Sequence, residues 1–148
     1  HAPAGGAVLA LHCDYRIAAA GNFQIGLNEV QVGLVVPPPV MRVLQYTVGT
    51  RRAALMAISG QMFTMDEALQ IGLVDELVPV DQVVARARTY ATELLKLPPV
   101  AMNATRMSAR ADLSELRPNK ADIRLVTDYW FSDETQEKMR QLVSQLGK

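Results

Sequence analysis

Short blocks of apolar residues, broken by turn residues, fill the first half of the chain, while the last third settles into helical periods. Gly5 and Gly6 open an almost wholly apolar run, Ala7 to Cys13, which predicts a helix buried on most sides. Tyr15–Ala19 and Phe23–Ile25 are short extended pieces about a Gly21-Asn22 turn. Pro37-Pro38-Pro39 ends whatever precedes it and predicts a helix over Val40–Val48, capped by Gly49. Arg51–Ile58 reads as another helix, stopped by Gly60. Thr64-Met65-Asp66-Glu67 has the form of a capping box, opening a helix over Ala68–Ile71 that Gly72 ends. Leu73–Val78 is a strand closed by Pro79. Gln82–Lys96 sets Val83, Ala87, Tyr90 and Leu94 on one helical face. Pro98-Pro99 restarts a helix through Met107, and Ser108–Pro118 is a loop or a broken helix. Asp122–Phe131 and Thr135–Leu146 are two further helices, with Ser132 or Asp133 placed to cap the second. The pattern predicts an α/β fold: a small mixed core over residues 1–97, then a helical region over 98–148.

Composition narrows the partners. The 148 residues are 49% hydrophobic, ample for a core, and carry fifteen basic against fifteen acidic side chains. A neutral chain shows no electrostatic footprint for nucleic acid or an anionic membrane. No apolar run is long enough to span a bilayer, and no signal peptide is visible. One cysteine, Cys13, cannot form an internal disulfide, and it reads as a small buried hydrophobe. The chain opens at His1 rather than Met and enters Ala-Pro-Ala-Gly-Gly at once, which looks like the middle of a domain.

Candidate chemistry gathers at Glu29. Between Phe23 and Val36 it is the only charged residue, with Ile25, Leu27, Val30 and Val32 around it in sequence. Desolvation there would raise its pKa, as suits a general base working near neutral pH. The same residues also fit a surface glutamate on a turn. At the other end of the argument, the glycine pair starts a helix, whose free N–H groups and positive dipole end suit an anion. Neither G-x-G-x-x-G nor a P-loop is present. His12-Cys13-Asp14 lacks metal-ligand spacing, so no metal is expected. Arg51-Arg52 reads as a solvated pair, with a phosphate contact as the alternative.

Several ordered motifs together resemble the crotonase, or enoyl-CoA hydratase/isomerase, superfamily. They are Pro3-Ala4-Gly5-Gly6, Cys13-Asp14-Tyr15-Arg16-Ile17-Ala18, Phe23-x-Ile-Gly-Leu-Asn-Glu29 with Gly33, Gly60-x-x-Phe63-Thr64-x-x-Glu67-Ala68, and Ile71-Gly72-Leu73-Val74-Asp75. The resemblance implies a spiral of β-β-α turns followed by helices that pack in trimers or dimers of trimers. It implies an acyl-CoA thioester substrate, with coenzyme A part of the substrate and no separate cofactor. It implies an enolate held by two backbone N–H groups, one of them on Gly5. The other belongs to the N-terminal half of the family's domain, so the chain looks like the C-terminal half and is expected to be weakly active or inactive alone. Ala4, Val8, Leu27 and Pro37 are the implied pocket residues. Trp130, Phe131, Met139, Leu142 and Leu146 offer apolar surface for self-association.

Two departures separate the family's reactions. The hydratases carry two glutamates, and the helical one falls here on Val8, which transfers no proton. Their Pro-Gly-x-Gly-Gly run supplies an N–H, whereas Val36-Pro37-Pro38-Pro39-Val40 stands here. Leu27-Asn28-Glu29-x-Gln31-x-Gly33-x-x-x-Pro37 resembles instead the mitochondrial-type Δ3,Δ2-enoyl-CoA isomerases, which serve fatty-acid β-oxidation and need one base, implied to be Glu29. A hydratase, another acyl-CoA reaction of the same scaffold, or an inactive oligomerising fragment are the alternatives. The implied compartment is the mitochondrial matrix for a eukaryotic source and the cytoplasm for a bacterial one.

Overall fold

The computed structural model describes residues 1–114 and 116–146, with the side chains of Ser114 and Leu146 outside that description. In chain order its elements are β1 (Ala2–Pro3), α1 (Gly5–Leu11), β2 (Ile17–Ala19), β3 (Gln24–Gly26), a 3-10 turn over Glu29–Val32, α2 (Pro38–Val48), α3 (Thr50–Ser59), β4 (Phe63–Thr64) and α4 (Met65–Gln70). Then come β5 (Glu76–Val78), a 3-10 turn over Val80–Gln82, α5 (Val83–Leu94), α6 (Pro99–Ala109), α7 (Ala111–Ser114), α8 (Lys120–Trp130) and α9 (Asp133–Leu146).

Two small sheets organise the first half. β3 is the central strand of one, parallel to β1 and antiparallel to β4, with Ile25 opposite both Ala2 and Phe63. β2 and β5 form the other, in parallel, with Ala18 opposite Leu77. A Cβ at Gly26 would stand 2.6 Å from the Gln61 carbonyl oxygen, so only glycine lets β3 lie this close to the chain entering β4. The second sheet is closed by Asp75, which accepts from the Arg16 N–H at 2.7 Å and from Arg16 Nη2 at 2.9 Å. Two of the family-like motifs therefore serve the fold by pairing with each other.

The buried core runs from Ala7 to Val74, and α2 contributes most to it through Val40, Val43, Leu44 and Val48. Each such side chain gains ~1.5–3 kcal/mol from burial. The core continues through Ala53, Met56 and Ala57 of α3, packed against α2. α4 starts on the expected capping box: the Glu67 N–H donates to Thr64 Oγ1, and the Thr64 N–H donates to Glu67 Oε2 at 2.8 Å. Such a cap is worth about 1 kcal/mol. None of the described helices is long and apolar enough to cross a membrane.

Several expectations are corrected. α1 begins at Gly5 and ends at Leu11, and it buries only Ala7 and Leu11; Leu9 is 75% exposed. Its apolar run therefore lies across the surface rather than inside. Cys13 is exposed, because α1 ends before it and the chain turns outward. Leu73 and Val74 are buried in a turn, and only Glu76–Val78 is strand. Phe63–Thr64 is a strand that was not anticipated, since two residues leave no alternation to read. The helix expected over Gln82–Lys96 is present as α5, with Val83, Ala87 and Tyr90 on one cleft wall, although none of its residues is fully buried. Gly49 does cap α2 as expected, in an extended conformation with positive φ (φ +82°, ψ 151°), and it is also the N-cap of α3. The Ser108–Pro118 stretch is a broken helix, α6 giving way to α7, as far as it is described.

The C-terminal helices reach back to the core through several contacts, among them Leu113 packed on it and two polar ones. Arg106 Nε and Nη2 donate to Asp14 Oδ2 at 3.0 and 2.8 Å, and Arg110 Nη1 donates to Asp14 Oδ1 at 2.7 Å. The Arg106 guanidinium beside it holds the Asp14 carboxyl below the usual carboxylate range. This cluster is largely solvated, so it orients α6 more than it stabilises it. The second polar contact is α9 against the Glu29 turn.

Candidate active site

β1 and β3 run parallel in register, and the Ala4 N–H donates to the Gly26 carbonyl at 2.9 Å. Both strands therefore release the chain at the same end of the sheet. One exit is Ala4-Gly5, which starts α1. The other is Leu27-Asn28-Glu29, which starts the 3-10 turn. The sequence neighbours of Gly5 and of Glu29 are thus brought to one edge by strand pairing alone.

The first exit is strained. Ala4 has φ +44° and ψ −112°, the only described non-glycine residue with positive φ. Such a conformation costs on the order of 1–3 kcal/mol and is held only by surrounding structure. Its ψ sets the plane of the Ala4–Gly5 peptide, and so the direction of the Gly5 N–H. As the first helical residue, Gly5 has no carbonyl one turn back in the helix to accept that proton. A Cβ at Gly5 would meet nothing within 4 Å, so the space on the side-chain face of this residue is open. One turn on, the Val8 N–H donates to the Ala4 carbonyl at 2.9 Å, and its side chain is half-buried against the core.

Glu29 occupies the second exit. It is 8% exposed, and it is the only charged residue in the buried class among the described residues. Its Oε2 is buried without a hydrogen-bond partner, as is Asn28 Oδ1 beside it. Burial pushes the Glu29 carboxyl above its ordinary value, a hydrogen bond from its own backbone N–H opposing in part. The expectation of a desolvated carboxyl thus agrees with the geometry. A buried, unpartnered carboxylate is costly to the fold and is typical of a functional position. Leu27 is buried in the core just before it. Pro37 is half-buried and caps α2, whose first two positions, Pro38 and Pro39, have no N–H. The cap and the first two positions of that helix therefore offer no N–H to a water or an anion, and Val40 is the first residue there that has one.

The sign of the Glu29 shift yields a test. A carboxyl whose folded-state pKa is raised contributes stability that is fully present below its unfolded value, about 4.3. That contribution is lost as pH rises through the folded-state value. Wild type is therefore expected to lose stability relative to Glu29→Gln as pH rises from about 4 through the raised pKa. Denaturant unfolding of both proteins across that range measures it, and parallel curves would show that Glu29 titrates normally.

Two apolar clefts lie elsewhere. One, of about 640 Å³, runs between the two sheets, with Ile17, Phe23, Ile25, Val74, Val83 and Tyr90 among its walls. The other, of about 840 Å³, lies between α5 and α6 and is walled by Tyr90, Leu94, Leu97 and Met102 among others. Neither is lined by Gly5, Val8, Leu27, Glu29 or Pro37. Among the described residues no group of three or more His, Cys, Asp or Glu side chains converges as a metal site would require. Arg51 and Arg52 are exposed at the start of α3.

Sequence reasoning missed two residues that hold the Glu29 turn. Gln31 Nε2 donates to the Gly60 carbonyl at 2.8 Å. Thr135, from α9, donates from Oγ1 to the Gly33 carbonyl at 2.8 Å. Gln31 was visible as part of a motif but without a role; Thr135 lies 102 positions away and carries no local signal.

The family model for enoyl-CoA hydratase/isomerase matches residues 1–146. Mitochondrial enoyl-CoA delta isomerase 1 of Mus musculus is 35% identical over 147 residues, covering 97% of this chain and 51% of the relative. The crystal structure of human mitochondrial delta3-delta2-enoyl-CoA isomerase matches with a TM-score of 0.88 at 34% identity, over 99% of this chain and 58% of that one. Carnitinyl-CoA hydratase from Mycobacterium avium matches with a TM-score of 0.82 at 25% identity, over 97% of this chain and 57% of that one. The chain spans about half the length of the curated isomerases it matches.

Proposed function

The chain belongs to the enoyl-CoA hydratase/isomerase family, and from that premise we propose that it carries the base of an enzyme that moves a double bond of an enoyl-CoA from C3 to C2. The observation that carries the proposal is the buried carboxylate of Glu29, with Oε2 left unpartnered, at the strand end shared with Gly5. In this mechanism Glu29 takes a proton from C2 of the 3-enoyl thioester. The electron pair of the broken C–H bond moves into a dienolate, whose charge rests on the thioester oxygen. The Gly5 N–H donates to that oxygen, and a second donor lies outside these residues, as the family resemblance implies. Glu29 then returns its proton to C4, and the double bond stands between C2 and C3. No atom is gained or lost, and the carboxylate is regenerated.

One base suffices for that shuttle. Hydration needs a water held and activated, for which the family's hydratases use two carboxylates. Here Val8 occupies the second carboxylate's position, and Pro38 and Pro39 supply no N–H. Both features favour isomerisation over hydration, although hydratases share the fold. The proposal includes a homotrimer or a dimer of trimers, supported by the apolar surface on the last two helices. Phe131 is 72% exposed and Trp130 44%, with Leu142 also exposed; Met139 is half-buried, and the side chain of Leu146 lies outside the described residues.

The test is a ratio. Conversion of a 3-enoyl-CoA to its 2-enoyl isomer is expected to exceed hydration of a 2-enoyl-CoA by at least ~100-fold, the contribution of one general acid–base group. Both rates can be followed on one preparation of the full chain. Hydration as fast as isomerisation would remove the argument from Val8 and make the hydratase reading the better one.

A further inference from the structure

The turn that bears Glu29 does not hold itself. It is one 3-10 turn of four residues, Glu29–Val32, and such turns have few and poorly aligned internal bonds. It also carries a buried carboxyl whose desolvation favours escape to water. It ends at Gly33, φ +79°, where the Leu34 N–H donates to the Glu29 carbonyl at 3.0 Å.

Thr135 sits directly on that ending. It is 0% exposed, the only uncharged polar residue in the buried class among the described residues. Its hydroxyl donates to the Gly33 carbonyl at 2.8 Å, and Ser132 Oγ lies 3.2 Å from the same hydroxyl. A Cβ at Gly33 would stand 2.8 Å from Thr135 Oγ1, so the threonine is seated against the bare face of the glycine. On the other side, Gln31 reaches the Gly60 carbonyl, and a Cβ at Gly60 would stand 2.8 Å from Val30 Cγ2. The turn is gripped between the end of α3 and the start of α9.

We propose that Thr135 is a positioning residue: through the Gly33 carbonyl it clamps the turn that carries Glu29, so that the C-terminal helix sets where the base sits. The proposal rests on the reading of Glu29 as the base. A proton shuttle between C2 and C4 tolerates little displacement, and a misplacement of about 1 Å can cost ~100-fold in rate. The carbonyl that Thr135 holds belongs to the residue capping the turn, so its release frees the turn rather than a distant loop.

The test uses Thr135→Val, which keeps the branched shape and removes the donor, and Thr135→Ser, which keeps the donor. In the full chain Thr135→Val is expected to lower kcat ~10- to 100-fold with KM little changed. Carbon-13 titration of the Glu29 carboxyl is expected to move toward the ordinary glutamate value, as water reaches the loosened turn. Thr135→Ser is expected to restore both. A Thr135→Val protein that melts earlier but keeps kcat and the Glu29 titration would overturn the proposal, as would a serine variant that behaves like valine. Should Thr135→Val fail to fold, Thr135→Ala removes the same donor with a smaller side chain, and unchanged kcat and titration there would also overturn it. The base assignment fails separately. If Glu29→Gln turns over like wild type, the base lies elsewhere, and the titration still tests the clamp. If Glu29→Gln is inactive while Thr135→Val keeps kcat and titration, only the clamp falls.

Discussion

Replacing Glu29 with glutamine is expected to cut isomerase turnover by ~100- to 10,000-fold, the usual loss for a missing general base. The substitution keeps the size of the side chain and its ability to hydrogen bond, and it removes the capacity to accept a proton. It also removes a buried carboxylate whose Oε2 has no partner, so the variant should fold at least as well as wild type at neutral pH. That pairing of a large kinetic loss with undiminished stability distinguishes a catalytic glutamate from a structural one. KM should move little, because the carboxylate acts on the reacting carbons and not on the coenzyme. Steady-state rates with a 3-enoyl-CoA, alongside thermal melts, give both numbers. A variant that retains full turnover would mean that the base is another group and that the buried carboxyl is an accident of the turn.

Replacing Gly5 with proline is expected to cost ~100- to 1,000-fold in kcat, the typical effect of losing one oxyanion donor. Proline is chosen because position five is the first residue of α1, where proline is well accepted and the missing N–H has no helical partner to lose. The strained Ala4 before it is the point to watch, since proline restricts the residue that precedes it. Circular dichroism and a melt would show whether α1 survives. Gly5→Ala is the control: it keeps the N–H, and its Cβ meets nothing within 4 Å, so near-wild-type turnover is expected. A folded proline variant with normal kcat would show that the Gly5 N–H is not a donor to the enolate. An alanine variant as slow as the proline variant would show that the glycine is needed for close approach of the substrate instead.

Much of this molecule was legible because local physics wrote it. Thr64 and Glu67 sit at capping-box spacing, and the box forms as read. Pro37-Pro38-Pro39 cannot continue a strand and can begin a helix, and α2 begins at Pro38. Ser132, one of two candidates to cap the last helix, accepts from the Thr135 N–H at 3.3 Å. The cap of α8 was missed: Asn119 accepts from Asp122 N–H at 3.0 Å while Asp122 accepts in return, but the asparagine and aspartate spell a capping box less plainly than threonine and glutamate do.

What burial decides was read less well. Ala7–Cys13 is apolar along its length, and composition alone implied an interior helix. Which face of so uniform a segment is covered depends on its neighbours, and here α1 covers Ala7 and Leu11 while Leu9 and Cys13 stay outside. The two-residue strands β1 and β4 have no periodicity to detect, yet β1, by pairing with β3, carries the register that brings Gly5 and Glu29 to one edge.

The sequence by itself determined the local elements, the family, and the isolation of Glu29 among uncharged residues, because each of these depends on residue identity over a few positions. Only the tertiary structure decided that Glu29 is buried with Oε2 unpartnered. It alone strained Ala4 to φ +44°, and it alone brought Thr135 onto Gly33. The reason is physical: desolvation, strain and a hydrogen bond across 102 positions are properties of what the folded chain packs together, and no window of sequence contains both partners.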